Sequence, residues 1–238
     1  MLNDATNLTT CARNKSLRAF NLIENFVILV VLIGLAATVL PRLARPSRCS
    51  ARLNCVNNLK QTGLAFRTWA LDNNDQYPMQ VSMTLGGTME LVTNGNAFAH
   101  FRVMSNELST PKVLFCPQET DPGRQSSSTF ASTIPLNSIN QVPFTNDNNI
   151  SYFVGVDATD VSPQMILSGD RNLCVDGVLV RRRLLNLWTN STVIWNIPRH
   201  EKGGNIAYAD GSVGQLSDRA LKQAFLQTGC ATNRLHLP

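Results

Sequence analysis

The sequence predicts an α+β protein: a long N-terminal transmembrane helix packed on an antiparallel-sheet head domain, with a short C-terminal helix. Three observations support this class. Residues 20–40 form one apolar run, short β-rich runs alternate with turn residues after residue 150, and a helical pattern follows Ser217. A chain of 238 residues can bury a core without disulfide stapling.

Composition argues against a nucleic-acid-binding function. Lys and Arg total 21 against 16 Asp and Glu, and this excess is small and scattered along the chain. Aromatic residues make up 7%, and they do not interleave with basic residues as a base-stacking surface requires. The sequence therefore predicts no nucleic-acid partner.

The apolar run has the length of a membrane span. Of its 21 positions 16 are apolar, and Glu24 is its only charged residue. A helix of this length is about 31 Å long, close to the thickness of the bilayer's hydrocarbon core. A carboxylate inside a span costs roughly 2.5–3.5 kcal/mol, which makes Glu24 a functional candidate.

Two other interpretations of this run remain open. A cleaved secretory signal would use the basic residues before it, but Glu24 and Asn25 stand at its start and no A-x-A site follows before Pro41. A buried core helix is the other alternative, although so long an aliphatic run is unusual in a small domain. We expect a retained membrane helix.

The helix is predicted to continue to about Leu71, with a kink or interruption at Pro41 and Pro46. Asn73 to Asp75 should end it. A loose apolar stripe supports the extension and consists of Leu43, Leu53, Leu59, Phe66 and Trp69.

Turn residues divide the rest of the chain. A short helix is predicted over 97–106, a long irregular surface loop over 118–150, and a helix over 218–227 between Ser217 and Gly229. Strands are predicted at 150–156, 164–168, 177–181, 192–196, 205–209 and 213–216.

Two motifs resemble a known family. Arg18 to Glu24 is similar to the processing signature of type IV pilin-like proteins, with Ala19 where Gly is usual. His200, nine intervening residues and then Asp210-Gly211 resemble the C-terminal signature of prepilin-type proteins usually labelled type II secretion system protein. Further similar stretches are Cys55–Gln61, Phe115–Pro117, Ser151–Gly155 and Gly169–Asn172.

The resemblance implies a structural subunit of a type II secretion pseudopilus or type IV pilus-like filament. A prepilin peptidase would cleave between Ala19 and Phe20, Phe20 would be N-methylated, and Glu24 would pair with the terminal amine of a neighbouring subunit. The expected partners are this peptidase/methyltransferase, other pilin-like subunits and the inner membrane. The alternative is a membrane-anchored periplasmic binding domain that uses the signal for export without polymerising.

The domain organisation follows from this resemblance. We expect a leader peptide at 1–19, a transmembrane helix at 20–41, an extension of that helix at 42–72 and a periplasmic α+β head at 73–238. The N-terminus would be cytoplasmic and the protein would cross the inner membrane once.

A periplasmic head lies in an oxidising compartment, where unpaired thiols are unusual. Cys116 ends an apolar run that should pack on the helix carrying Cys55, so a Cys55–Cys116 disulfide is expected. Cys174 and Cys230 leave other pairings open.

No catalytic or cofactor site is predicted and no metal ligand is assigned, although the resemblance leaves Asp210 open as a calcium ligand, since major pseudopilins carry a calcium site in a C-terminal loop. The chain has no G-x-S-x-G, H-E-x-x-H, G-x-x-x-x-G-K or C-x-x-C pattern. His100 and His236 are isolated in the sequence. Asp210-Gly211 is interpreted as a hairpin turn, and His200 as part of a loop that joins strands 192–196 and 205–209 in a three-strand meander. Five strand residues would then hold His200 and Asp210 roughly 16 Å apart.

Overall fold

The structure is a computed structural model that describes residues 21–43, 48–94, 96–132, 140–181, 183–196 and 203–238. Contacts within the chain define two compact units, Met1–Pro46 and Ser47–Pro238. The chain is α+β, with an apolar N-terminal helix and antiparallel sheets.

The first unit contains the helix α1, Leu22–Leu43. The stretch Leu22–Val39 is long and apolar enough to cross a membrane, and none of it is buried. Pro41 lies within α1 and does not end it. Pro46 and the predicted continuity of the helix across residues 44–47 lie outside the described residues.

The second unit begins with α2, Arg48–Leu71. Cys55, Leu59 and Phe66 are fully buried on one face of α2, at the i, i+4, i+11 spacing that keeps side chains on one side of a helix. Leu53, which the sequence predicts to lie in the same stripe, is instead 54% exposed. Most of the predicted extension 42–72 therefore belongs to the compact unit 47–238.

The end of α2 is where the sequence predicts it. Asn74 and Asp75 adopt positive φ angles of 55° and 57°, and the backbone N–H of Asp75 donates to the carbonyl of Ala70 at 2.9 Å. Short helices follow: 3₁₀ turns at Pro78–Gln80, Met83–Leu85 and Met89–Leu91, then α3 (Ala97–Arg102), α4 (Ser105–Leu108) and a 3₁₀ turn at Pro111–Leu114.

The segment 118–150 is irregular, as predicted, but parts of it are anchored in the core. Phe144 and Asp147 are fully buried, and the Asp147 carboxylate accepts a hydrogen bond from the backbone N–H of Phe98 at 2.8 Å. Arg124 donates to the carbonyls of Asp147 and Ile150 at 2.8 and 2.6 Å. The description as a surface loop is therefore only partly right.

Six strands form one antiparallel sheet in the order β5-β9-β1-β2-β7-β8. Their bounds are β1 Tyr152–Gly155, β2 Ile166–Asp170, β5 Arg183–Trp188, β7 Gly203–Tyr208, β8 Val213–Ser217 and β9 Thr232–Leu237. The helix α2 packs against β2, β7 and β8.

A second antiparallel sheet has the order β4-β3-β6, with β3 at Leu173–Val175, β4 at Val178–Leu179 and β6 at Val193–Trp195. Strand β6 pairs with β3, whereas β7 pairs with β2 and β8. The predicted meander of strands 192–196, 205–209 and 213–216 is therefore wrong, and only its β7–β8 hairpin exists.

Strand β6 contacts β7 through the side chain of Trp195 and does not pair with it. The side chain of Trp195 is 1% exposed and lies against Gly204 of β7, where an added Cβ would come within 2.5 Å of the indole ring. The two strands thus meet through a side chain and a bare backbone. Strand β6 pairs with β3, and the backbone N–H of Trp195 donates to the carboxylate of Asp218 at 2.8 Å.

The helix α5, Asp218–Gln227, has the predicted bounds. Ser217 caps it, its side chain accepting from the N–H of Ala220 at 3.5 Å, and Gly229 follows it with a φ of 73°. The sequence predicts this helix as the C-terminal element, but β9 follows it and lies between β5 and β1. Strands β3, β5 and β9 were not predicted.

A disulfide joins Cys55 of α2 to Cys116, with a Cα–Cα distance of 5.5 Å. This is the pairing expected from the sequence. Both residues are fully buried and lie in a cluster with Leu59, Tyr152 and Ala207. The disulfide therefore ties α2 to the segment after the 3₁₀ turn Pro111–Leu114.

We predict that Cys116→Ser lowers the free energy of unfolding of unit 47–238 by about 4 kcal/mol, the chain-entropy value for closing a loop of this length. Denaturant unfolding followed by tryptophan fluorescence measures this effect, because Trp69, Trp188 and Trp195 all lie in that unit. Cys174→Ser is the control, since Cys174 is a free thiol. Equal midpoints for the two variants would contradict the prediction.

Candidate functional site

The residues predicted to direct processing lie at the start of the chain. Ala19 and Phe20 fall outside the described residues. Glu24 lies in the first turn of α1 and is exposed. Its backbone N–H donates to the carbonyl of Asn21 at 2.9 Å.

Several sequence motifs of unit 47–238 converge around the disulfide. Asn58, one turn beyond Cys55 on α2, donates through its side-chain amide to the carbonyl of Phe115 at 3.2 Å. The same amide nitrogen lies 3.4 Å from the hydroxyl of Tyr152 at the start of β1. The motifs Cys55–Gln61, Phe115–Pro117 and Ser151–Gly155 therefore meet in one place.

The motif Gly169–Asn172 adjoins the same region and contains a buried ion pair. The guanidinium of Arg171 donates to both carboxylate oxygens of Glu119 at 3.2 Å, and it also pairs with Asp121. Ser151 donates to Glu119 at 3.0 Å. Only 1% of the Glu119 side chain and 10% of the Arg171 side chain are exposed. The partners are 50 or more residues apart in the chain, so no local pattern of residues indicates this ion pair.

Asp170, the preceding residue, joins two strands. It is 1% exposed, and its Oδ2 accepts hydrogen bonds from the backbone N–H and the side-chain amide of Asn205, both at 2.8 Å. Asp170 ends β2 and Asn205 lies in β7. These charge-assisted bonds hold the two neighbouring strands together at that end.

A cavity of about 430 Å³ opens beside Arg171 and Asn172, and we name it the polar cavity. Its volume lies in the range of small-molecule sites. It is lined by residues 120–124, Asn148, Arg171, Asn172, residues 179–181, Asn196 and Pro238.

Asp210-Gly211 forms the turn between β7 and β8, as predicted. The Asp210 carboxylate accepts from the backbone N–H of Ser212 at 2.8 Å, and Gly211 has a φ of 84° that favours glycine. Asp210 is thus a turn-forming residue. His200 lies outside the described residues, so its predicted separation from Asp210 stays a prediction. Among the described residues, no group of three or more His, Cys, Asp or Glu side chains is placed to hold a metal ion.

Two histidines that are isolated in the sequence form a buried pair. His100 of α3 and His236 of β9 are both fully buried, with 2.8 Å between Nε2 of His100 and Nδ1 of His236. Sequence reasoning missed this pair because the partners are 136 residues apart.

The surroundings of this pair assign its protons. Nε2 of His236 lies 2.5 Å from the carbonyl of Val92, so it carries a proton and donates to that carbonyl. Nδ1 of His236 therefore accepts a hydrogen bond from the protonated Nε2 of His100. Nδ1 of His100, at 2.7 Å from the Thr88 hydroxyl, then accepts from that hydroxyl. Both rings are neutral in this arrangement, and neither has room for a second proton without losing a hydrogen bond.

Burial lowers the pKa of both histidines. It lowers the pKa of His100 to about 3, and the neighbouring His236 contributes to the shift. Burial also lowers the pKa of His236; the hydrogen bond to the Val92 carbonyl opposes this shift, and the charge of Arg234 adds to it. Desolvation disfavours the charged form of each ring.

Comparison with known protein families, with curated proteins and with solved structures finds no match for this chain.

We predict that acid destabilises unit 47–238 through the histidine pair. Above pH 6.5 the histidines are neutral in both the folded and the unfolded chain, so they contribute no pH dependence. Below pH 6.5 the unfolded chain binds protons that the folded chain excludes, so stability falls by up to about 1.4 kcal/mol per pH unit for each histidine. For His100 this window extends down to a pH of about 3.

Unfolding midpoints at pH 7 and pH 5 measure this loss. His100→Gln with His236→Gln should reduce the difference between the two pH values, whatever it costs at pH 7. His200→Gln is the control, and a loss of the pH dependence in that variant would assign the effect to His200 instead.

Proposed function

We propose that this chain is a structural, pilin-like subunit of a type II secretion pseudopilus or type IV pilus-like filament. The observation that carries the proposal is α1, an exposed apolar helix with a single acidic residue, Glu24, in its first turn. A bilayer would cover its apolar side chains. Within a bilayer a carboxylate is costly unless it has a partner, and a neighbouring subunit's terminal amine is such a partner.

The outer face of α2 supports an assembling subunit. Leu53, Leu64 and Leu71 are 54%, 65% and 76% exposed. Their spacings of 11 and 7 residues bring them to within about 20° of one another around the helix. The leucines lie about 16 and 10 Å apart along the helix, with Lys60 and Arg67 between them on the same face. In this proposal a second copy of the chain covers this face.

The proposed topology puts the N-terminus in the cytoplasm, α1 in the inner membrane and the unit 47–238 in the periplasm. The Cys55–Cys116 disulfide supports an oxidising compartment for that unit. A prepilin peptidase/methyltransferase would act on Ala19-Phe20 at the cytoplasmic side. The protein would act as a building element and not as an enzyme.

A second candidate is a membrane-anchored periplasmic binding domain that uses the prepilin signal for export and does not polymerise. The polar cavity favours it, because a purely structural subunit has no need of a cavity of ligand size. Oligomers recovered after shearing or cross-linking of native membranes distinguish the two candidates.

We predict that the mature protein begins with N-methylated Phe20. The test is the intact mass of the chain purified from native membranes. Ala19→Leu should retain the leader, because a bulky residue replaces the small one at the cleavage site. An intact Met1 in the membrane-bound parent protein would rule out processing at this position.

We also predict that a photo-crosslinking residue at Leu64 captures a second copy of the chain in native membranes. The same residue at Val161, which is 83% exposed and not on α2, is the matched control and should capture far less. Glu24→Ala should lower the Leu64 dimer yield several-fold while leaving membrane insertion intact, because it removes the charge that pairs with the neighbouring amine. Equal dimer yields with and without the Glu24→Ala substitution would exclude the pairing role.

A further inference from the structure

Strand β5 lies at one edge of the six-stranded sheet and leaves that edge open. It runs for six residues, Arg183–Trp188, and pairs along its whole length with β9. The opposite edge strand, β8, packs against α2 and α5, whereas the main contact of β5 is with β9. In the described part of the chain, no strand pairs with the outer edge of β5.

The hydrogen bonds of β9 show which backbone groups of β5 point outward. The carbonyl of Arg234 accepts from the backbone N–H of Val156 at 3.0 Å, so Arg234 turns its backbone groups towards the β1 side. In an antiparallel ladder these directions alternate from one residue to the next. The neighbours of Arg234 therefore bond to β5, where they pair with every second residue from Arg183 onwards. The backbone N–H and C=O groups of the intervening residues point away from the sheet: Leu184, Asn186 and Trp188.

This edge lacks the features that keep edge strands from pairing with another chain. Charged side chains, prolines and bulges are the usual ones. Strand β5 pairs with β9 in an unbroken register and carries a single charge, on Arg183 at its first position. Of the outward-facing groups, only the carbonyl of Trp188 has a backbone partner among the described residues, the N–H of Ser191 at 3.0 Å. The edge can therefore accept a further strand.

The side chains of the edge match those of a second copy of the same strand. Leu184, Asn186 and Trp188 lie on one face of the sheet, because side chains alternate along a strand. Leu184 is half-buried and Trp188 is 59% exposed. In an antiparallel pair centred on Asn186, Leu184 of each copy lies opposite Trp188 of the other. Packing between directly opposed side chains stabilises a sheet, and this apolar contact occurs twice.

The distribution of charge favours this antiparallel arrangement. The sequence has arginine at positions 181–183, where β5 begins, and no charged residue at positions 184–191. A two-fold axis at Asn186 sets Arg183 of each copy opposite Thr189 of the other, which holds the two Arg183 residues about 20 Å apart. Parallel pairing would bring the two basic ends side by side. A partner strand must be apolar and uncharged along most of its length, and β5 itself is such a strand.

We propose that β5 pairs with β5 of a second copy of this chain, antiparallel and in the register that sets the two Asn186 residues opposite each other. The contact is isologous, since the same residues of both copies form it. It joins the two six-stranded sheets into one continuous sheet, with hydrogen bonds at Leu184, Asn186 and Trp188 of each copy. The inference uses no residue of α1 or α2, so it holds whether or not the chain assembles into a filament.

The test is disulfide cross-linking of the full chain in native membranes. Every cysteine outside the Cys55–Cys116 disulfide is first replaced by Ser, and Asn186→Cys is then introduced. Opposed residues of a hydrogen-bonded pair have Cα atoms about 5.5 Å apart, which suits a disulfide, so mild oxidation should give a dimer. Asn190→Cys is the matched control and should give far less dimer, because Asn190 is exposed but lies beyond the end of β5, far from the two-fold axis.

A second substitution, added to Asn186→Cys, tests the contact between side chains. Trp188→Ala should lower the dimer yield about tenfold, because each dimer loses the contact between Leu184 and Trp188 twice. Val178→Ala is its control, since Val178 is 63% exposed and lies in the three-stranded sheet, and it should leave the yield unchanged.

Three outcomes would overturn the proposal: no dimer from Asn186→Cys, equal dimer from Asn190→Cys, or an unchanged yield when Trp188→Ala is added. A disulfide to a protein of a different mass in place of the dimer would also overturn it, because another partner would then cover the edge. Asn186 and Trp188 are exposed, and thermal unfolding checks that each variant is folded. The comparison of Asn186→Cys with Asn190→Cys decides the question even if Trp188→Ala fails to fold.

Discussion

The burial of one face of α2 is the contact on which the rest of unit 47–238 depends. Leu59 and Phe66 on this face are fully buried, and strands β2, β7 and β8 pack against the helix. The Cys55–Cys116 disulfide and Asn58 fasten the same helix to the segment that follows Pro111–Leu114. Because one face is fully used in this way, the leucines of the opposite face have no role in the core.

Signals that act between neighbours in the chain predicted much of the fold. Ser217 and Gly229 set the two ends of α5, and Asp210-Gly211 makes the β7–β8 turn. Asn74 and Asp75, which adopt positive φ, end α2. Each of these features depends on a cap or a turn that is complete within a few residues. The strand predictions at 150–156 and 164–168 likewise contain most of β1 and β2, because their apolar content reflects their burial on both faces.

Contacts between distant residues could not be predicted in the same way. Strand β6 pairs with β3 and meets β7 only where Trp195 lies against Gly204. Neither residue carries a local signal for that contact. The histidine pair and the polar cavity could not be predicted for the same reason, since each brings together residues from separate parts of the chain. A pattern of residue types in one segment contains no information about which distant segment will cover it.

The buried ion pair of Arg171 also forms part of the wall of the polar cavity. Arg171 holds Glu119 and Asp121 in place, and Arg171 and Asn172 both line the polar cavity. A change at Arg171 would therefore lower stability and alter the cavity wall together, because the buried Glu119 carboxylate would lose its cationic partner. Arg181 lies at the exposed edge and contributes charge without supporting the core. A substitution of Arg181 can therefore test for binding at the polar cavity without a loss of stability, whereas a substitution of Arg171 cannot.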